Sequence, residues 1–112
     1  MGEIKVKCLV WAGDRSMRVR FESEVLDRLE TDQTFDGGYG REIVRGFRKA
    51  MQAIRAARYE PDLYQMKSLR FEKLKGTNER SMRLNKQWRL ILRIEESEPT
   101  NVVVVVRIED YH

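Results

Sequence analysis

Residues 80–94 read RSMRLNKQWRLILRI, and the alternation in this stretch decides what kind of domain the chain forms. Met82 and Leu84 fall on one side of an extended chain, with Ser81, Arg83 and Asn85 on the other. Successive side chains of a strand point to opposite faces, so this is the pattern of a half-buried β-strand. Asn85-Lys86-Gln87 interrupts it, and asparagine tolerates the left-handed backbone that tight hairpin turns demand. Trp88, Leu90, Leu92 and Ile94 then share one face, opposite Arg89, Ile91 and Arg93. Two alternating runs about a tight turn predict an antiparallel hairpin.

Working outward, residues 95–100 form an acidic loop containing Pro99, and residues 102–108 are apolar on both faces. A strand of that kind lies inside a sheet and is covered on both sides over part of its length. Upstream, residues 69–72 predict another strand, followed by a turn at Lys75-Gly76-Thr77-Asn78. Earlier still, Ile43, Phe47, Met51 and Ile54 recur at helical spacing over residues 41–58, and Glu60-Pro61-Asp62 stops that helix. Ser23 caps a shorter helix carrying Val25, Leu26 and Leu29, which ends near Thr31. The glycine-rich TFDGGYG of residues 34–40 lacks the lysine and downstream Ser/Thr of a phosphate loop, and reads as a helix–helix connection. Residues 4–11 and 17–21 alternate about Ala12-Gly13-Asp14, which predicts an N-terminal hairpin. The expectation is an α+β fold spanning residues 1–112 as a single domain. N-terminal helices pack on a small, mostly antiparallel sheet, with an extra N-terminal strand or hairpin.

The totals narrow the function. Cys8 is the only cysteine, so no internal disulfide frames the fold. With no apolar leader and no run near the roughly 20 apolar residues of a membrane helix, the expectation is a soluble cytoplasmic protein without a membrane partner. The net charge of +4 conceals a block: residues 67–93 carry nine basic and two acidic side chains, net +7, whereas residues 94–112 carry one and five, net −4. Such a block is the footprint of a phosphate-backbone binder, or else a solvated face whose acidic partners lie elsewhere in the fold.

One histidine and one cysteine do not make a metal-ligand set, and no cofactor motif is present. What remains is the basic strand system bearing Lys75 and Arg89, followed by a tail of Asp110, Tyr111 and His112. If these converge, they suit phosphodiester cleavage in RNA. Attack by the 2′-hydroxyl needs a base, cations for the charge building on the phosphoryl oxygens, and an acid for the leaving 5′-oxygen. Each residue also has a plain structural reading. Lys75 is a turn residue, Arg89 pairs with Glu72 or Glu109 across the sheet, Tyr111 is a strand-end aromatic and His112 belongs to a frayed tail.

RFEKLKG (residues 70–76), RSMRLNKQWRLILRI (80–94) and RIEDYH (107–112) resemble, in order and spacing, the HigB branch of the RelE/ParE toxin superfamily. Those proteins show a Leu-x-Gly turn, then a pattern like S-x-R-x-N-x-Q-W-R, and end in Asp-Tyr-His. The resemblance implies a toxin of a type II toxin–antitoxin pair that cleaves mRNA on the ribosome, without metal or cofactor. It also implies a cognate antitoxin, expected to be a helix-turn-helix protein. Carried over, Lys75 matches the phosphate-contacting lysine, Arg89 the transition-state arginine, and Asp110, Tyr111 and His112 the terminal triplet. Arg70, Lys73, Arg80, Arg83, Lys86 and Arg93 are the expected RNA-binding cations. Glu72 departs from the pattern, since some relatives carry histidine there. It is either a base or structural. Residues 1–20 are a second departure, because relatives begin with one short strand. A gyrase poison of the ParE type, or an RNA binder that has lost cleavage, are the competing readings.

Overall fold

The computed structural model describes residues 17–110. β1 (Arg18–Phe21) runs into α1 (Glu24–Thr31), whose cap is the expected one: Ser23 Oγ accepts from the Val25 N–H at 3.1 Å. The glycine-rich connection leads to α2 (Arg41–Ala56), which buries Ile43, Phe47, Ala50, Met51 and Ile54 along one stripe. Arg48 ties the three pieces together by donating to the carbonyls of Leu29, Asp32 and Phe35, each at 3.1 Å. Pro61 does more than stop α2. It sits in the first turn of α3 (Glu60–Tyr64), where its missing N–H costs nothing.

The strand expected over residues 69–72 is mostly not one. Lys67–Leu69 form a 3-10 turn, the Leu69 and Arg70 amides bond to Met66 and Lys67, and Arg70 turns back at φ +48°. With those amides used locally, only β2 (Glu72–Lys73) joins the sheet. β3 (Glu79–Arg83), β4 (Trp88–Glu95) and β5 (Val102–Asp110) follow. The five strands lie in the order β1-β5-β4-β3-β2, antiparallel except for β1, which runs parallel to β5. The strand read over residues 17–21 is therefore an edge strand of this sheet. The hairpin partner expected over residues 4–11 lies outside the described residues. β5 is flanked on both sides, and Val103, Val104 and Val105 are fully buried, which accounts for the two-sided apolar run.

The turn between β3 and β4 forms where expected but for another reason. Among the described residues Arg70 is the only non-glycine with positive φ, so Asn85 does not take the left-handed conformation. Its Oδ1 instead accepts from the Gln87 and Trp88 amides, both at 2.8 Å. That is asparagine's other turn habit.

One irregularity sets which residues face the helices. Between Ile91 and Leu92 the register of β4 against β5 slips by one, leaving Val106 as an extra residue on β5. Without it, strict alternation would put Arg107 on the face of Val103 and Val105. With it, Ile108 packs against the core and Arg107 and Glu109 move to the opposite face. The helices press closely on the other side. A Cβ on Gly46 would run into the backbone of Leu84, whose carbonyl carbon and Cα lie 3.0 and 3.1 Å away.

Candidate active site

Directly paired strand residues share a face, so the register alone assembles the sheet surface turned away from the helices. In one rung Arg83 stands opposite Arg89, and Arg89 opposite Glu109. In the next, Glu72, Ser81, Ile91 and Arg107 line up across β2 to β5. In the third, Glu79 faces Arg93, and Arg93 faces Val104. Rungs on one face are about 7 Å apart.

The charges on these rungs are not equivalent. In the third rung the cations are neutralised. Arg93 contacts Glu22 at 2.7 Å and Glu95 at 3.4 Å, and Arg20 contacts Glu95 at 2.9 Å. The Arg93 hydrogen bond holds the Glu22 carboxyl below its ordinary range. Arg107 reaches across β4 to both oxygens of Glu79, each at 3.1 Å, and also binds Glu109 at 2.7 Å. These bonds, Glu79's first, push its guanidinium pKa up still further. In the first rung Arg83 and Arg89 are like charges directly opposite each other, an unfavourable arrangement that a phosphate between them would relieve. Arg83 Nε donates to the Asn85 carbonyl at 3.2 Å, which fixes its stem, and no carboxylate among the described residues pairs with it.

Of the expected site residues, Glu72, Arg83 and Arg89 come together on this face. Lys75 lies in the β2–β3 turn beside Glu79, four strand steps or about 13 Å from Arg83 along β3. It stands beside a neighbouring segment of any bound strand rather than at the arginine pair. Asp110 is opposite Trp88 and so takes the helix-side face at the sheet's end, where its Oδ2 accepts from Gln87 Nε2 at 3.0 Å. Tyr111 and His112 lie outside the described residues. Arg70 and Lys86 are exposed in their turns.

Two of the expected RNA-binding cations are committed elsewhere. Arg80 is on the helix-side face with Lys73, its side chain is 11% exposed, and it binds Glu60 at 2.8 Å and Asn78 at 2.8 and 3.0 Å. A guanidinium saturated by carboxylate and carbonyl oxygens holds α3 to the sheet and has little left for phosphate. Arg93 is likewise held by two carboxylates. Sequence reasoning also missed Gln87 and Arg107. Gln87 was legible in the quoted Q-W-R motif. Arg107 was not, because its face depends on the bulge.

A cavity of about 620 Å³ lies on the helix side between the glycine-rich loop and α2, lined by Tyr39, Arg41, Arg45 and Lys49 among others. Chemistry rather than concavity locates the site on the open face, since an extended polyanion tracks a charged surface and needs no closed pocket. Among the described residues no group of three His, Cys, Asp or Glu side chains is placed to hold a metal, and no helix is long and apolar enough to cross a membrane.

Comparison with known proteins yields two findings. The family model described as the RelE-like toxin of type II toxin–antitoxin system HigB matches residues 19–112. Among solved structures, the YoeB/ParE toxin from Agrobacterium tumefaciens is similar, with a TM-score of 0.53 at 16% identity, over 86% of this chain and 100% of that one. At that identity the likeness speaks for the fold. No curated protein matches the sequence.

Proposed function

From the premise that the chain belongs to the HigB-like family of RelE-like toxins of type II toxin–antitoxin systems, with a cognate antitoxin as its partner, we propose that it is a metal-independent endoribonuclease that cuts mRNA on the ribosome. The observation that carries this reading is the Arg83–Arg89 pair, one rung from Glu72 on a face free of helices.

Each residue then has a part. The two guanidiniums hold the non-bridging oxygens of the scissile phosphate and balance the charge that builds there. Glu72 takes the proton of the 2′-hydroxyl as its oxygen bonds to phosphorus. The bond from phosphorus to the 5′-oxygen breaks, leaving a 2′,3′-cyclic phosphate. Following the family's terminal triplet, His112 gives a proton to the departing 5′-oxygen and Tyr111 stacks on or orients a base. Positioned acid–base groups of this kind contribute about 10²–10⁴-fold in rate. Lys75 holds an adjacent phosphate at one end of β3, with Arg70 and Lys73 along the same edge of the sheet, and Lys86 serves the opposite end from the β3–β4 turn. Asp110, held by Gln87, anchors the strand end from which Tyr111 and His112 follow.

The test is expression in a bacterial host of the wild type, of Arg89→Met and of a chain lacking His112. RNA ends on translated messages are mapped and DNA supercoiling is measured in parallel. Cuts within codons that vanish in both variants support the nuclease. Altered supercoiling without cuts refutes it and favours gyrase inhibition. The antitoxin is proposed to be a small helix-turn-helix protein, which a neighbouring reading frame of that type would support.

A further inference from the structure

Ser81 is the one buried polar side chain of the described residues: it is 1% exposed, and its Oγ has no hydrogen-bond partner. Buried hydroxyls normally find partners, so an orphan on this face, one rung from the arginine pair, calls for one. The register supplies a candidate. Ser81 is directly opposite Glu72, which places their Cβ atoms about 5 Å apart. A glutamate folded inward over the sheet reaches that hydroxyl. Glu79, two residues away on the same face of β3, already has both oxygens bound by Arg107, whereas Glu72 is exposed with no such partner among the described residues.

We propose that Ser81 is a positioning residue whose hydroxyl donates to the Glu72 carboxylate, holding it over the sheet. This rests on the reading of Glu72 as the base that accepts the 2′-hydroxyl proton. A glutamate at this position is a longer, more mobile group than the imidazole some relatives carry, and a second contact fixes where its oxygen stands. The bond favours the carboxylate over the acid. The charged groups that face Glu72 act on the same equilibrium: Arg83 and Glu79 on β3, then Arg89 on β4 and Arg107 on β5, with Lys73 and Lys75 along its own segment. None of these is altered by changing Ser81.

The experiment titrates the Glu72 side-chain carboxyl by NMR in the full chain, for the wild type, Ser81→Ala and Ser81→Thr, alongside the pH profile of cleavage. In folded Ser81→Ala the Glu72 midpoint rises by about half a unit or more, roughly threefold in proton affinity. The acidic limb of kcat/KM moves up by the same amount, and Ser81→Thr restores both. An unchanged midpoint in folded Ser81→Ala overturns the proposal, and so does a shift that Ser81→Thr fails to restore. The titration needs no RNA or ribosome, so a chain that cuts nothing sinks the nuclease reading while the pair is still tested. Intact cleavage with an unmoved midpoint sinks only the pair.

Discussion

Replacing Gly46 with alanine tests the closest approach in the fold. In the middle of an exposed helix that change stabilises by about 1 kcal/mol, because glycine is the poorer helix former. Here the new methyl meets backbone, not a flexible side chain: the Leu84 carbonyl group lies in its path. Leu84 is anchored by its amide bond to the Trp88 carbonyl at 2.9 Å, so it yields only if the β3–β4 hairpin moves with it. Overpacking of this kind costs about 1–3 kcal/mol, and a fixed carbonyl puts it in the upper part of that range. The expected net loss is about 1–2 kcal/mol. At about 4–8 °C per kcal/mol for a domain near this size, Tm falls by roughly 4–15 °C. Urea titration of the wild type, Gly46→Ala and the control Gln52→Ala, in the same helix, measures it. A Gly46→Ala protein at least as stable as the wild type refutes the reasoning, since α2 would then have room the geometry denies it. The same displacement reaches Arg83 and Arg89, so cleavage should fall even at temperatures where the variant is folded.

Three further outcomes follow from the geometry. Arg80→Met strands Glu60 and destabilises by about 1–3 kcal/mol while leaving the RNA affinity of the folded protein near wild type, which filter binding beside thermal melts would check. Arg83→Lys replaces a planar fork with a point charge and lowers cleavage about a hundredfold with unchanged circular dichroism; undiminished cleavage would remove Arg83 from the site. The Glu22 carboxyl is held below its ordinary range by Arg93, so its contribution to stability is present above the unfolded value near 4.3 and is lost as pH falls through the lower folded value. Comparing urea midpoints near neutral pH and below about pH 4, Glu22→Gln should flatten part of that acid loss.

The reading of residues 80–94 as a hairpin needed nothing beyond alternation, and the structure repeats it strand for strand. Helices α1 and α2 were equally plain, since the α2 stripe is long and the Ser23 cap of α1 and the Pro61 stop after α2 are local signals. Two kinds of feature were not legible. One was competition between local bonding and the ladder: Leu69 and Phe71 looked like strand residues, but the 3-10 turn used the amides first. The other was pairing at a distance. Alternation alone separates Arg80 from Arg83 by face, but nothing in it says that Glu60, 20 residues earlier, holds the Arg80 guanidinium. The resemblance put Lys75 and Arg89 in one site, with Glu72 as a departure from the pattern. The sheet separates Lys75 from Arg83 by the length of β3, a distance no one-dimensional spacing conveys.

The extra residue at Val106 makes β5 a strand with two masters. Ahead of it, side chains answer to the hydrophobic core and tolerate only volume-matched exchange. Beyond it, Arg107 and Glu109 answer to the charged face and Ile108 to the core, in a phase shifted by one. Insertions and deletions in the paired parts of this strand therefore act like frameshifts, whereas the bulge itself can absorb one. Removing Val106 takes out the residue that the bulge accommodates, so Arg107 still faces outward and Ile108 inward; straightening the strand with Val106 kept is what would turn them over. What the charged face requires of β5 is therefore the phase of Arg107 and Ile108, which the bulge sets, and not a fixed number of residues before them.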